Sequence, residues 1–282
     1  MNKNKLRKYW YGLSANQRFM IRRLYYLPAD RLDSITGKRH KYVPPRGLIY
    51  TGSSAGSDKF IKQGQQQLSV LKETSDLKPE DRVLDIGSGI GRTAIALSGY
   101  LNSKGSYEGF DVVKLGVDWC NSRLGKDFPN FKFKYVPLYN DLYNDSEQKA
   151  DDFVFPYEAD EFDKVFSFSL FTHMQLTEIQ NYFREISRVL KKDGLAFSTF
   201  FLFDEKDERR IENNGDYSFP VSREGYKLMS DQVKSGNIAI HKDKLSKMMA
   251  DEGLEVVKII DGFWKGVKSI EFQDIVVFKR TD

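Results

Sequence analysis

The segment "RVLDIGSGIGRTAIAL", residues 82–97, constrains the fold more than any other. An apolar run enters three glycines at alternate positions, Gly87, Gly89 and Gly91, and continues directly into a helical pattern. Glycine tolerates the positive φ that such a turn demands and lets a ligand approach the backbone. The helix that follows leaves free N–H groups facing the same crevice. From here the chain alternates. Apolar runs at "SYEGFD", "FKFKYV", "KVFSFSLF", "LAFSTFFLF", "LEVVKII" and "QDIVVFK" read as strands, separated by helical stretches at 92–101, 116–124, 176–191 and 242–251. That order predicts an α/β fold, a mostly parallel Rossmann-like sheet with helices on both faces. Only "DGFWKGVKSIEF" joins the last two strands, too short for a crossover helix, so they are expected to pair antiparallel. Residues 204–240 read as a polar insertion after the fifth strand.

Residues 77–282 therefore form the expected catalytic-type domain, and residues 1–76 an N-terminal helical extension. Leu6, Trp10 and Leu13 follow helical spacing. Ser14 and Gln17 form a capping-box pattern ahead of a second helix, which Pro28 is expected to end. Residues 33–47 read as a loop, and the glycine-containing stretch 50–57 as a lid leading into a helix through about Thr74. Charge is uneven: residues 1–50 hold twelve Lys/Arg against two acids, whereas the remainder holds 32 basic and 38 acidic groups. A nucleic-acid enzyme more often carries positive charge around its catalytic domain, so no nucleic acid is expected as partner. The basic extension reads either as a solvated arm or as a peripheral contact with an anionic surface or acidic partner. One cysteine, Cys120, excludes an internal disulfide, and no apolar run approaches the ~18 residues of a membrane span. With no apolar leader core, the expected location is cytoplasmic.

Two carboxylates narrow the ligand. The spacing is G-x-G-x-G, and Arg92 stands where a dinucleotide fingerprint places its third glycine. Asp85, two residues before Gly87, repels a pyrophosphate and suits a ligand carrying an ammonium group. Asp111 ends the second strand, about 20 positions beyond the loop, where an acid serves ribose hydroxyls. Either acid alone reads equally well as a surface residue. In register with the loop, the pair points to S-adenosylmethionine, which has an ammonium group and no phosphate.

The segments "VLDIGSGIGR", "GFD", "FDKVFSFSLFTHM" and "EISRVLKKDGLAFSTFF" resemble, in order and spacing, motifs of the class I S-adenosylmethionine-dependent methyltransferases. The resemblance runs from about Leu77 to Lys279 and implies a seven-stranded sheet with a final antiparallel strand. It implies cofactor-binding roles for Asp85, Gly87, Ser88, Gly89, Gly91, Arg92, Asp111, Val112, Leu138 and Ser169. Asp85 and Gly87 would lie at the amino-acid end, Asp111 at the ribose, and Val112 and Leu138 near the adenine. One departure stands after the third strand, where Pro137 replaces the family's adenine-contacting acid and Asp141 falls several residues late.

Ligands of open α/β sheets sit beyond the carboxyl ends of the strands. That rule selects His173 and Asp204 as candidate catalytic residues, and Tyr50, Phe171 and Trp264 as candidate substrate-binding residues. An imidazole titrates near neutrality and suits a general base, although a histidine here serves equally as a cap. Asp204 lies in "DEKDE", which also reads as a solvated turn, and Trp264 suits either stacking on substrate or edge packing. No metal is expected: there are three histidines in all and no H-E-x-x-H or Cys/His cluster.

The tetrapeptide that marks DNA amino-methyltransferases is absent, and Cys120 beside Trp119 does not resemble a Pro-Cys nucleophile. The remaining acceptors are small-molecule, saccharide or lipid-linked, with oxygen favoured over nitrogen. "PPRGLIYTG" and "GFWKG…FQDIVVFK" resemble bacterial methyltransferases of unassigned substrate, some of them connected with surface glycans. Aminopropyl transfer, N-methylation and a non-catalytic cofactor-binding scaffold are the alternatives.

Overall fold

The computed structural model describes residues 13–140, 146–212, 217–231 and 236–281. The helix expected around Leu6 and Trp10, and Asp141, lie outside the described residues. Two compact units interleave in sequence, one comprising residues 1–68, 88–100 and 109–147, the other residues 69–87, 101–108 and 148–282.

In the first unit, helix α1 (Ala15–Thr36) starts at Ser14, whose capping box with Gln17 forms as expected. It does not end at Pro28. The helix continues two further turns to a left-handed Gly37. Proline removes one N–H, but Pro28 is on the exposed side, where the carbonyl four residues back is open to solvent rather than trapped in the core. Acids on the inner side hold α1 in place. Asp30 accepts the backbone N–H groups of Arg46 and Gly47 at 2.7 and 2.9 Å, and Asp33 pairs with the Arg46 guanidinium. Arg39 ties the following loop down through the carbonyls of Pro44 and Ala55. Helix α2 (Ser57–Ser75) ends close to the expected Thr74. Helices α3 (Arg92–Leu97) and α4 (Lys114–Cys120) are short, and α4 runs on into one π turn.

The second unit is built on β1 (Arg82–Ile86), β4 (Phe162–Ser167) and β5 (Leu190–Phe203), which pair in parallel. β1 has β2 (Ser106–Asp111) on one side and β4 on the other, so the strand order reverses at β1, the arrangement that opens a crevice at the strand ends. β2 begins in this unit and ends in the first, where β3 (Phe131–Tyr135) neighbours it. β10 (Asp274–Arg280) lies antiparallel between β5 and β9 (Leu254–Ile260), as expected from their short connection. Helices α5 (Leu176–Val189) and α7 (Lys242–Asp251) match their predicted spans. Stacked phenylalanines form the core: Phe171 lies parallel to Phe200 at 5.1 Å, with Phe183 5.4 Å from Phe171.

The insertion departs from expectation. Residues 204–240 contain the short helix α6 (Glu208–Glu212) and the hairpin β6 (Val221–Arg223) and β7 (Tyr226–Leu228), and lead into β8 (Ile238–His241). β8 pairs in parallel with Phe201–Phe203 of β5, and β7 and β6 follow antiparallel. The described residues thus form ten strands instead of seven. Three- and four-residue strands carry too little alternation to register in sequence. Phe201 and Phe203 pack with Ile211, Phe219, Ala239 and Trp264 beneath this extension.

Candidate cofactor and acceptor residues

The glycine turn adopts the backbone its sequence calls for, with φ of 77°, 58° and 81° at Gly87, Gly89 and Gly91. A side chain is excluded at Gly91 on a second count, because a Cβ there would lie 2.8 Å from the Cys120 sulfur.

In the first unit the turn is organised around Asp111. Its carboxylate accepts the N–H groups of Gly89 and Val113, both at 2.8 Å, and the Tyr50 hydroxyl acts on it as well. The carboxylate is buried, and desolvation pushes its pKa up to about 6 despite these hydrogen bonds, each of which favours the charged form. Tyr50 and Asp111, candidates 61 positions apart, are thus brought together. The Tyr50 hydroxyl and the Gly89 carbonyl also crowd Gly116, so no Cβ fits at that position. The Arg92 guanidinium donates to Gln67 at 3.1 Å and to Ser53 at 2.9 Å, fastening the predicted lid segment to the start of α3. Thr93 donates to the same Gln67 oxygen. Val112 is half-buried and Leu138 fully so, and the Val136 N–H donates to the Asp111 carbonyl, which sets the end of β3 against Asp111. Ser88 is buried, and its hydroxyl has no hydrogen-bond partner among the described residues. A buried orphan hydroxyl calls for a polar ligand atom.

In the second unit Asp85 is 3% exposed and accepts the Tyr107 hydroxyl at 2.7 Å. Gly87 faces Leu170, whose methyl would lie 3.2 Å from an added Cβ. Ser169, just past β4, is exposed and takes a positive φ of 55°. Its backbone N–H donates to the Thr199 hydroxyl, and its own hydroxyl donates to Gln273, which also accepts from Thr199. A non-glycine residue in this region marks a position that its surroundings over-determine. His173 ends the short 3-10 turn 171–173 and is half-buried; Gln175, not His173, caps α5.

Three candidates are held by protein partners. Phe171 is fully buried in the phenylalanine stack. Trp264 is 4% exposed and donates its indole N–H to Asp274 at 2.8 Å. Asp204 pairs with Lys242 at 2.9 Å, and that hydrogen bond lowers its pKa. Sequence reasoning missed Tyr107, Gln67 and Gln273, which orient the turn and Ser169 without belonging to any motif. It also missed Lys265, 2% exposed, whose ammonium lies 2.7 Å from Asp261 and 3.1 Å from the fully buried Asp274.

The family model that matches this chain is the methyltransferase domain, over residues 83–194, which hold Asp85, the glycine turn, Asp111 and the Ser169–His173 segment. These matched residues support a class I S-adenosylmethionine-dependent methyltransferase, and they make up less than half of the chain. A methyltransferase from Bacillus subtilis (strain 168), YcgJ, is 30% identical over 138 residues, 49% of this chain. The match spans about half that relative's length, 47%. Solved structures share the methyltransferase fold. The PH0226 protein of Pyrococcus horikoshii OT3 superposes with a TM-score of 0.54 at 15% identity, covering 81% of this chain and 94% of its own. The 1,6-didemethyltoxoflavin-N1-methyltransferase of Burkholderia thailandensis, solved with S-adenosylhomocysteine, gives 0.52 at 13% identity over 92% and 89%. Such a methyltransferase domain uses S-adenosylmethionine, and the orphan Ser88 hydroxyl, the glycine turn and the Asp111 carboxylate fit that group.

Proposed function

We propose that this chain transfers a methyl group from S-adenosylmethionine to a hydroxyl of a small-molecule, saccharide or lipid-linked acceptor. The observation that carries the cofactor half is the Asp111 carboxylate, fixed by two backbone N–H groups at the end of β2 and held beside Gly89. In this reading it accepts hydrogen bonds from the ribose hydroxyls, and Ser88 supplies a further polar contact. Val112 and Leu138 border the adenine. Asp85, steadied by Tyr107, supplies negative charge beneath Gly87 for the ammonium end. The cofactor brings an activated methyl on a sulfonium carbon, so the protein's work is alignment, exclusion of water and removal of the acceptor proton.

His173 is assigned the proton-removing role. It follows β4 in the same turn as the conformationally constrained Ser169, and imidazole accepts a proton near neutral pH. Asp204 serves poorly as a base, because Lys242 stabilises its charged form. Phe171 and Trp264 are assigned to support behind the acceptor segments. Oxygen is preferred over nitrogen as acceptor because a hydroxyl needs a base, whereas an amine needs only to arrive uncharged.

The test is a calorimetric titration with S-adenosylhomocysteine and, separately, with NAD, followed by incubation with isotopically labelled methyl donor and candidate acceptors. Saturable binding of the first ligand alone, and label on a hydroxyl-bearing product, support the proposal. Absence of S-adenosylhomocysteine binding refutes the cofactor assignment; label appearing on nitrogen refutes the acceptor assignment.

A further inference from the structure

Helix α1 is oriented the wrong way round for a helix that merely covers a core. Ordinary surface helices turn their apolar stripe inward and their charges outward. Here the inward face sets ion pairs and hydrogen bonds beside half-buried Phe19 and Tyr26. Arg22 donates to the Arg46 carbonyl, and Asp30 and Asp33, the only acids in the helix, are engaged by Arg46 and its neighbours. The outward face carries Met20, Leu24, Tyr25, Leu27, Leu32 and Ile35, exposed by 41–83% of their surface. At 100° per residue these positions fall in one arc of about 160°. Exposed Arg31 lies within the same arc, exposed Arg23 about 40° beyond its edge, and exposed Lys38 follows just past the helix end. A groove of about 490 Å³ opens at one edge of this arc, lined by Phe19, Met20, Arg23, Leu24, Leu27 and Leu115.

Such a surface requires a counterpart that is apolar and anionic at once. We propose that the outward face of α1 lies on an anionic lipid bilayer, its apolar side chains entering the headgroup boundary and its arginines meeting lipid phosphates. Charge selects this occupant. The face presents no acid, and the first 50 residues carry twelve Lys/Arg against two acids, both of which α1 turns inward. Exposed tyrosine and leucine beside arginine is the chemistry of helices that lie in the membrane interface. No described helix is long and apolar enough to cross a membrane, so the contact is peripheral. Twenty-two residues give a helix about 33 Å long, enough to lay several turns along the surface.

The experiment is co-sedimentation of the full chain with vesicles of phosphatidylcholine alone or containing roughly 30% phosphatidylserine. We expect about tenfold stronger partitioning to the anionic vesicles, weakening about tenfold when salt rises from about 0.1 to about 0.5 M. The double variant Leu24→Glu/Leu27→Glu should lose binding to both vesicle types while keeping its melting temperature and its S-adenosylhomocysteine affinity. No enrichment on anionic vesicles overturns the proposal, as does equal binding by the double variant, which reduces the contact to charge alone. A wild-type dimer in light scattering that the double variant converts to monomer also overturns it, assigning the face to a second copy. These readouts do not depend on catalysis, so they fail or hold separately from the methyl-transfer reading.

Discussion

Cofactor affinity should depend on pH through Asp111. Burial lifts its pKa from 3.8 to about 6, a difference worth about 3 kcal/mol between the two protonation states. Ribose hydroxyls are donors and need the ionised carboxylate as acceptor. Below pH 6 the free protein holds a proton there that binding must displace. At pH 5 only about one molecule in eleven is ionised, so S-adenosylhomocysteine should bind about tenfold more weakly than at pH 8. The logarithm of the association constant should rise with unit slope up to about pH 6 and then level. Folding stability moves the other way. The folded state binds this proton more tightly than the unfolded chain, so between about pH 4 and 6 the Asp111 contribution to stability falls as pH rises. Weaker binding at pH 5 therefore cannot be ascribed to unfolding caused by this group. Calorimetry across pH 5–8 on wild type and Asp111→Asn is the assay. The variant should bind more weakly, by about 1.5–3 kcal/mol, with no acid limb. A flat wild-type profile, or a variant that keeps the same slope, would refute the reasoning.

Three further predictions concern the acceptor side and the framework. His173→Ala should lower turnover about a hundredfold or more without changing S-adenosylhomocysteine affinity, as steady-state kinetics and titration will show; unaltered turnover at saturating acceptor removes it as the base. Lys265→Met should destabilise the fold by about 3–5 kcal/mol in urea, since Asp274 would be left buried without its cation. An effect below about 1 kcal/mol would mean that the Trp264, Gly262 and Leu202 N–H groups suffice to hold that charge. Gly91→Ala should lower the melting temperature and weaken cofactor binding together, because it meets both a positive φ and the Cys120 sulfur; an unshifted melt would show that the turn relaxes freely.

The sheet was legible where five to seven residues rich in apolar and β-branched side chains stand between turn signals. Residues 82–86, 106–111 and 254–260 match the sequence reading residue for residue, and the short connection before β10 correctly implied an antiparallel pair. Local chemistry also carried through at Ser14 and Gln17, where the cap depends on residues three apart. What sequence hid was direction. A proline stops a helix only where its lost hydrogen bond cannot be replaced, and the exposure of Pro28 is a tertiary property. Phe171 and Trp264 stand at the expected strand ends, but pattern alone does not tell an aromatic facing a ligand from one facing Phe200 or Asp274. The pairing of Tyr50 with Asp111 joins distant segments and has no local signature.

The backbone bonding of β8 to β5 changes what the 204–240 segment is able to do. A flap swings on hinges and exchanges its amide protons quickly. This segment instead shares Phe201–Phe203 with the central strand, and Ile211 and Phe219 are packed under it. Its amides near residues 238–240 should therefore exchange as slowly as those of β5, and among its described residues the outlying β6–β7 turn retains latitude to adapt its shape.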